Sequence, residues 1–414
     1  MSKKRPSGPL LKPVALSSFR NAGRVSLSLI HIRRCRTVAH SLAQNFKGVH
    51  ILIISGSQIA GAFDFKARVD FVKIPGVIKL YNGEYTSISQ HIDIRETLRW
   101  RQEIIRSTAK AFDPDMLIVD KEPIGLQGEL LPTLRFLQRR NCRLVLGLRE
   151  VMDDPDVLVK EWKKRDVMRH MQTFYDDIWV YGPKAFHNPL AGTGAPAALE
   201  QRLQYTGFLR REEPNAFHDE GIDFQDDYIL VTAGGGGDGA QMMRSVLAAQ
   251  RAVIGDKQNM LLVLGPFMPK EDREDIRLRA DGMKNVRIID FHNRHEVLIQ
   301  KAKAVVSMAG YNTFCEILSL NKRALLIPRM QPRLEQLIRA TRAAELGLVD
   351  IILPGDAEDP ARMSESLAKL AVRRTPEEAG AESMLNGLDS IRDLVRSYFA
   401  DGNRREVFLP PAAE

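Results

Sequence analysis

The chain has 414 residues, 44% apolar and 27% charged, with a formal net charge of +8. That length exceeds one ordinary core and predicts two domains, and its longest apolar runs, "MLLVLGPFM" and "VHILIIS", fall well short of the ~18 residues that a membrane helix requires. Three widely spaced cysteines, Cys35, Cys142 and Cys315, argue against a disulfide framework or a zinc site and fit a reducing cytoplasm.

The excess positive charge sits at the front. Residues 1–63 hold ten Lys or Arg and no Asp or Glu, whereas the remainder carries 50 basic and 52 acidic side chains. Such a face suits phosphates or anionic lipid, or it is a solvated tail followed by an ordinary helix surface. Nucleic acid is not expected as a partner, because the basic stretch lacks interleaved aromatics and any zinc or helix-turn-helix spacing. The leading segment "PLLKPVALSSF" is broken by Lys12 and two prolines, which makes a poor signal peptide.

In chain order the expected strands are "PVALSS", "VHILIIS", "VDFVKI", "MLIVD", "RLVLGL" and "DIWVYG", then "YILVTA", "MLLVLG", "NVRIID", "AVVSMA", "RALLIP" and "LVDIIL". Helical patterns such as "HIRRCRTVAHSLAQNF", "GAQMMRSVLAAQRAV" and "EQLIRATRAAELG" separate them. The alternation predicts an α/β protein with two Rossmann-like domains, each a mainly parallel sheet covered by helices. A polar, aperiodic stretch sets the boundaries: residues 1–206, a linker at 207–226, a second domain at 227–375, and a last helical segment, 376–414, that packs back on the first domain. Ligands of such sheets bind beyond the carboxyl ends of the strands, so the strand-to-helix loops of both domains face one cleft.

Four of those loops carry chemistry. "VTAGGGGDGA" is a strand, a glycine run and a helix start, in which Gly234, Gly235, Gly236 and Gly237 let main-chain amides approach a phosphate. Gly234, Gly236 and Gly239 also match a dinucleotide pattern, but the next strand ends in Leu264, Gly265 and Pro266 rather than the acid such a site needs. Phe291 and His292 follow a strand end, where a ring and a backbone suit a nucleobase; His292 and His295 lack the companions of a metal site. Gly310 opens a helix whose Thr313 and Glu316 have capping-box spacing, so Glu316 either finishes its helix or accepts bonds from a vicinal diol. Glu335 and Gln336, at a helix start after Pro332, suit sugar hydroxyls or the helix dipole alone.

Together, a glycine loop, an aromatic at a strand end, G-x-x-T-x-x-E, I-P-R and E-Q resemble the C-terminal domain of family 28 glycosyltransferases. Segments such as "SGSQIAGAFDF", "IPGVIKLYNGEY", "FDPDMLIVDKEPIGLQGELLPTL" and "LVLGLREVMDDP" resemble a narrower bacterial group of predicted glycosyltransferases over nearly the whole chain. The resemblance implies a two-domain GT-B fold that uses a nucleotide-diphosphate sugar as co-substrate without a cofactor or metal. By analogy Glu316 binds the ribose, Phe291 and His292 the base, and Gly234–Gly237 with Thr313 and Arg210 or Arg211 the diphosphate. Glu335 and Gln336 then hold the sugar. The first domain would take an unidentified acceptor, lipid-linked or a polysaccharide precursor, at a cytoplasmic site that includes an anionic membrane surface.

One segment departs from the family. Where relatives have G-x-G-H-x-R-R, this chain has Ser28-Leu-Ile30-His31-Ile-Arg33-Arg34, preceded by "FRNAGRVSLSL", which reads as an unusual loop. The resemblance makes His31 the base that deprotonates the acceptor, with Asp120 and Glu122 as alternatives. Two further readings stay open: a nucleotide-sugar 2-epimerase, which has a similar two-domain fold and donor, and, from the loss of both glycines, a nucleotide-sugar binder with impaired catalysis.

Overall fold

A computed structural model describes residues 24–29, 32–79, 85–88, 91–212, 227–292 and 294–400. The first half supplies β1 (Arg24–Leu29), α1 (Ile32–Asn45), β2 (His50–Ser55), β3 (Val69–Lys73), β4 (Val77–Lys79), β5 (Tyr85–Ser87) and α2 (Ile94–Phe112). It continues with β6 (Met116–Asp120), α3 (Leu131–Gln138), β7 (Arg143–Arg149), α4 (Pro155–Lys164), α5 (Val167–Phe174), β8 (Asp177–Tyr181), α6 (Ala197–Glu200) and β9 (Leu203–Tyr205). The second half supplies β10 (Tyr228–Thr232), α7 (Ala240–Ala249), β11 (Asn259–Val263), α8 (Lys270–Ala280), β12 (Val286–Ile289), α9 (His295–Lys301) and β13 (Ala304–Ser307). Then come α10 (Tyr311–Ser319), β14 (Arg323–Leu326), α11 (Glu335–Glu345), β15 (Asp350–Ile351), α12 (Pro354–Ala357), α13 (Pro360–Lys369) and α14 (Gly387–Ala400).

Two parallel sheets result, in the orders β3-β2-β1-β6-β7-β8-β9 and β12-β11-β10-β13-β14-β15, with β4 and β5 as a separate antiparallel pair. The α/β class and the mainly parallel sheets are those expected. Central strands such as "MLIVD" and "YILVT" are buried at every position, because helices cover both faces and leave no polar side to alternate.

The sequence reading misses the first strand. Arg24–Leu29 is not a loop but the strand that pairs β2 on one side and β6 on the other. Its "RVSLSL" alternation has the two-residue period of a strand, which the basic flanks obscure. "PVALSS" lies outside the described residues. The expected linker also divides: Phe208 and Leu209 are fully buried, Phe208 N–H donates to Met384 O at 2.7 Å, and Leu209 bridges Asn386. Residues 213–226 lie outside the described part.

One apolar cluster runs through both halves. Phe208 meets Phe186 and Phe314 edge-on, with centroids 5.0 and 5.4 Å apart. Helix α14 returns to pack against α1, and Tyr398 near its end lies under the Arg143 guanidinium, 5.4 Å from the ring centroid. The two sheets are thus joined by an apolar core as well as by charge.

Candidate functional site

In the second sheet β10 has β11 on one side and β13 on the other. The order reverses there, so the loops after β10 and β13 diverge and leave a crevice at the carboxyl ends. Those loops are Ala233–Gly239 and Met308–Gly310. Gly234 and Gly236 have φ of +64° and +90°, a left-handed conformation that favours glycine. A Cβ at Gly236 would lie 2.3 Å from Leu264 O, so the loop packs directly on the turn after β11; Phe267 N–H donates to Gly235 O at 2.9 Å. Across the crevice, Thr313 Oγ1 stands 3.7 Å from where a Gly234 Cβ would be. Beside it Gly310, the N-cap residue of α10, faces open space, with nothing within 4 Å of a Cβ position. The N-termini of α7 and α10 therefore both follow loops that border this crevice.

Glu316 does not close a capping box. Helix α10 starts at Tyr311 with Gly310 as its N-cap and no side-chain cap, so Glu316 is its sixth residue. Its buried carboxylate turns away from its own helix: Oε2 faces His295 Nδ1 at 3.0 Å and Oε1 accepts from Arg33 Nη1 at 3.3 Å. Burial alone would raise its pKa, but the His295 bond and the Arg33 charge outweigh it and bring it down to about 2. His295 Nε2 in turn lies 2.9 Å from Thr232 Oγ1, which accepts from Gly234 N–H at 3.2 Å.

Glu335, the first residue of α11, is held by Arg149 Nη1 at 2.8 Å. Burial again works to raise its pKa, and Arg149 with Lys121 brings it down to about 2. Gln336 Oε1 accepts from Arg329 N–H at 2.9 Å, and the Arg329 guanidinium pairs with Asp238 in the glycine loop. Arg329 so connects the loop to the Glu335–Gln336 helix start. Phe291 and His292 are half-buried between β12 and α9; His292 Nδ1 accepts from Arg294 N–H at 3.2 Å. The chain runs from them directly into His295.

Some expected residues are not brought to this gap. Arg210 is half-buried and pairs with Glu382, next to Leu209, which bridges Asn386. Arg211 does reach α10: its Nη2 donates to Asn312 Oδ1 at 2.9 Å, and its Nη1 donates to Thr37 Oγ1. Asp120, at the switch point of the first sheet, is not a free base. Arg34 Nε and Nη2 donate to its two oxygens at 2.8 and 2.6 Å in a fully buried fork. Glu122 is likewise tied to Arg165 Nη1 at 3.1 Å. His31 lies outside the described residues.

Sequence reasoning missed the arginines that join the halves. Arg33 meets Glu316, Arg149 meets Glu335, Arg339 meets Glu150, and Arg333 meets Asp153 and Glu161. Both carboxylates expected to bind the nucleotide sugar are thus occupied by cations of the first half. Lys121, between Asp120 and Glu122, was missed too; its φ of +68° is the one signal, and it is conformational. Burial, then the Arg149 charge, lowers its ammonium pKa. Among the described residues no helix is long and apolar enough to cross a membrane.

Residues 228–395 match the family model of the glycosyltransferase family 28 C-terminal domain. A curated relative from Haemophilus influenzae (strain PittEE), UDP-N-acetylglucosamine--N-acetylmuramyl-(pentapeptide) pyrophosphoryl-undecaprenol N-acetylglucosamine transferase, is 23% identical over 67% of this chain and 78% of its own. Among solved structures, Acinetobacter baumannii MurG superposes with a TM-score of 0.56 at 13% identity, covering 91% of this chain and 99% of its own. UDP-GlcNAc 2-epimerase from Neisseria meningitidis gives 0.62 at 14% identity, covering 91% of this chain and 100% of its own. The second half thus matches the family 28 C-terminal domain and the whole chain has the GT-B architecture, which together support a family 28-related glycosyltransferase.

Proposed function

We propose that the chain is a metal-independent, inverting transferase that moves a hexosyl group, N-acetylhexosaminyl included, from a UDP-linked donor to a hydroxyl acceptor. One observation carries the donor half of this reading. The switch point of the second sheet sets the glycine loop against the N-terminus of α10, with Glu316 and Glu335 held anionic on its flanks. Amides of the loop and of the two helix ends take the diphosphate and stabilise it electrostatically as it leaves. Glu316 exchanges Arg33 for the ribose hydroxyls, and Glu335 exchanges Arg149 for those of the sugar, since each carboxylate has about four lone-pair positions.

The acceptor binds the first half. The relative's name records a pyrophosphoryl-undecaprenol acceptor, which supports a lipid-linked substrate met at the cytoplasmic membrane face. The base is His31, on its sequence position alone, now that Asp120 and Glu122 are both committed to arginines. The fold shared with an epimerase bound to UDP-GlcNAc supports the donor class and keeps isomerisation as a second reading.

A thermal-shift screen of nucleoside diphosphates and their sugars, repeated on Glu316→Gln, tests the site. Incubation with lipid-linked acceptors then tests the chemistry. Transfer predicts free nucleotide only with acceptor; an isomerised sugar without acceptor establishes the epimerase, and no shift with any nucleotide overturns the donor site.

A further inference from the structure

We infer that His295 is a positioning residue: one hydrogen-bonded chain, Glu316–His295–Thr232–Gly234, ties the carboxylate proposed to read the ribose diol to the first amide of the loop proposed to read the diphosphate. The inference rests on the donor site above, and it adds a residue and a coupling that neither the family motif nor the site reading contains.

With a neutral imidazole the bonds run in one direction. Gly234 N–H donates to Thr232 Oγ1 at 3.2 Å, so that oxygen's own proton is left to donate elsewhere. His295 Nε2, 2.9 Å away, accepts it, and the imidazole keeps its proton on Nδ1. Nδ1–H then donates to Glu316 Oε2 at 3.0 Å. Thr232, His295 and Glu316 are all nearly inaccessible, at 1%, 3% and 4% exposure, so no water competes for these bonds. Each link comes from a different element: the last residue of β10, the first of α9 and the middle of α10.

The chain ends where the loop conformation is decided. Gly234 is the first left-handed residue after β10, and its peptide starts the run of amides that faces α10. The Thr232 hydroxyl fixes the direction of that first N–H. At the other end, the Nδ1–H bond uses only part of the Glu316 Oε2 capacity and sets the plane of the carboxylate, leaving Oε1, now on Arg33, to turn over to a diol. Phe291 and His292, the residues expected at the base, lie four and three residues before His295, so α9 registers all three parts of a nucleotide against one another.

The experiment titrates UDP, UMP and 2′-deoxy-UDP, with the guanosine set alongside, into the full chain and its variants. Two affinity ratios are read: diphosphate over monophosphate, and ribose over 2′-deoxyribose. His295→Asn keeps a donor at the Nδ1 position and loses Thr232; His295→Gln reaches Thr232 and loses Glu316. A buried partner left unpaired is worth roughly a tenfold change, so Thr232→Val and His295→Asn are expected to lower the first ratio about tenfold and spare the second. Thr232→Ser restores it, whereas His295→Gln lowers the second. Circular dichroism establishes that each variant is folded. If Thr232→Val, folded, keeps the wild-type diphosphate ratio, the chain only fastens α9 to the sheet and the inference is overturned alone. A wild-type chain that binds no nucleoside diphosphate overturns the donor reading, and this one with it.

Discussion

Arg339 is the most demanding ion at the junction of the two halves. Its guanidinium and the Glu150 carboxylate are fully buried, and Nη1 also donates to Ala309 O at 2.9 Å, in the loop that leads into α10. Replacing Arg339 with Met keeps its apolar stem but strands a carboxylate in a dry interior. Breaking such a pair by removing one partner costs about 3–5 kcal/mol. The double variant Arg339→Met/Glu150→Met removes both charges and leaves only the Ala309 carbonyl without its donor, a loss of about 1.5–3 kcal/mol for a bond to a charged group. The double variant is therefore about 2 kcal/mol more stable than Arg339→Met alone. Urea unfolding of the wild type, both single variants and the double closes the cycle. Tryptophan fluorescence and circular dichroism followed together show whether the two halves unfold in one step. A single Arg339→Met variant within about 1 kcal/mol of wild type, or a double variant less stable than the single, refutes the claim that this pair holds the halves together.

Three further outcomes follow from the same geometry. Gly236→Ala meets Leu264 O at 2.3 Å with φ at +90° and is expected to lower the melting temperature and abolish nucleotide binding, whereas Gly310→Ala, in open space, costs only about 0.5–1 kcal/mol as an N-cap change. Gly310→Ala should nonetheless impair nucleotide binding by filling the gap; unchanged affinity for UDP places the ligand elsewhere. Burial, with the Arg36 and Lys66 charges, depresses the His40 pKa from 6.5 to about 4. The folded state thus resists protonation there: the stabilising contribution is whole above pH 6.5 and is lost as pH falls toward 4. His40→Gln should flatten the fall of the urea midpoint between pH 6.5 and 4.5, above the range where Glu316 and Glu335 protonate, and an equally steep fall counts against it. Lys121 should be acylated at lower pH than exposed lysines when peptide mass spectrometry follows acetic anhydride labelling, because burial and Arg149 favour its neutral form; labelling in step with the surface lysines contradicts this.

Much of the architecture is written locally. Apolar runs bounded by glycine and polar residues specify buried parallel strands, and "VTAGGGGDGA" specifies a tight loop entering a helix, because backbone conformation depends on a residue and its near neighbours. The motif order of the second half is likewise enough to point to the family domain that this half matches and to the loops at its strand ends. What a side chain touches is a different matter. Glu316 has capping-box spacing, yet it bonds His295, 21 residues away, and Arg33, 283 residues away. Asp120 and Glu122 look alike at a strand end, yet one is locked in an arginine fork and the other pairs on a half-buried rim. Arg24–Leu29 becomes a central strand because β2 and β6 lie on either side of it. These outcomes follow from chain packing: burying a charge is tolerated only beside an opposite one, and which opposite charge is near is fixed by the way the two sheets close on each other.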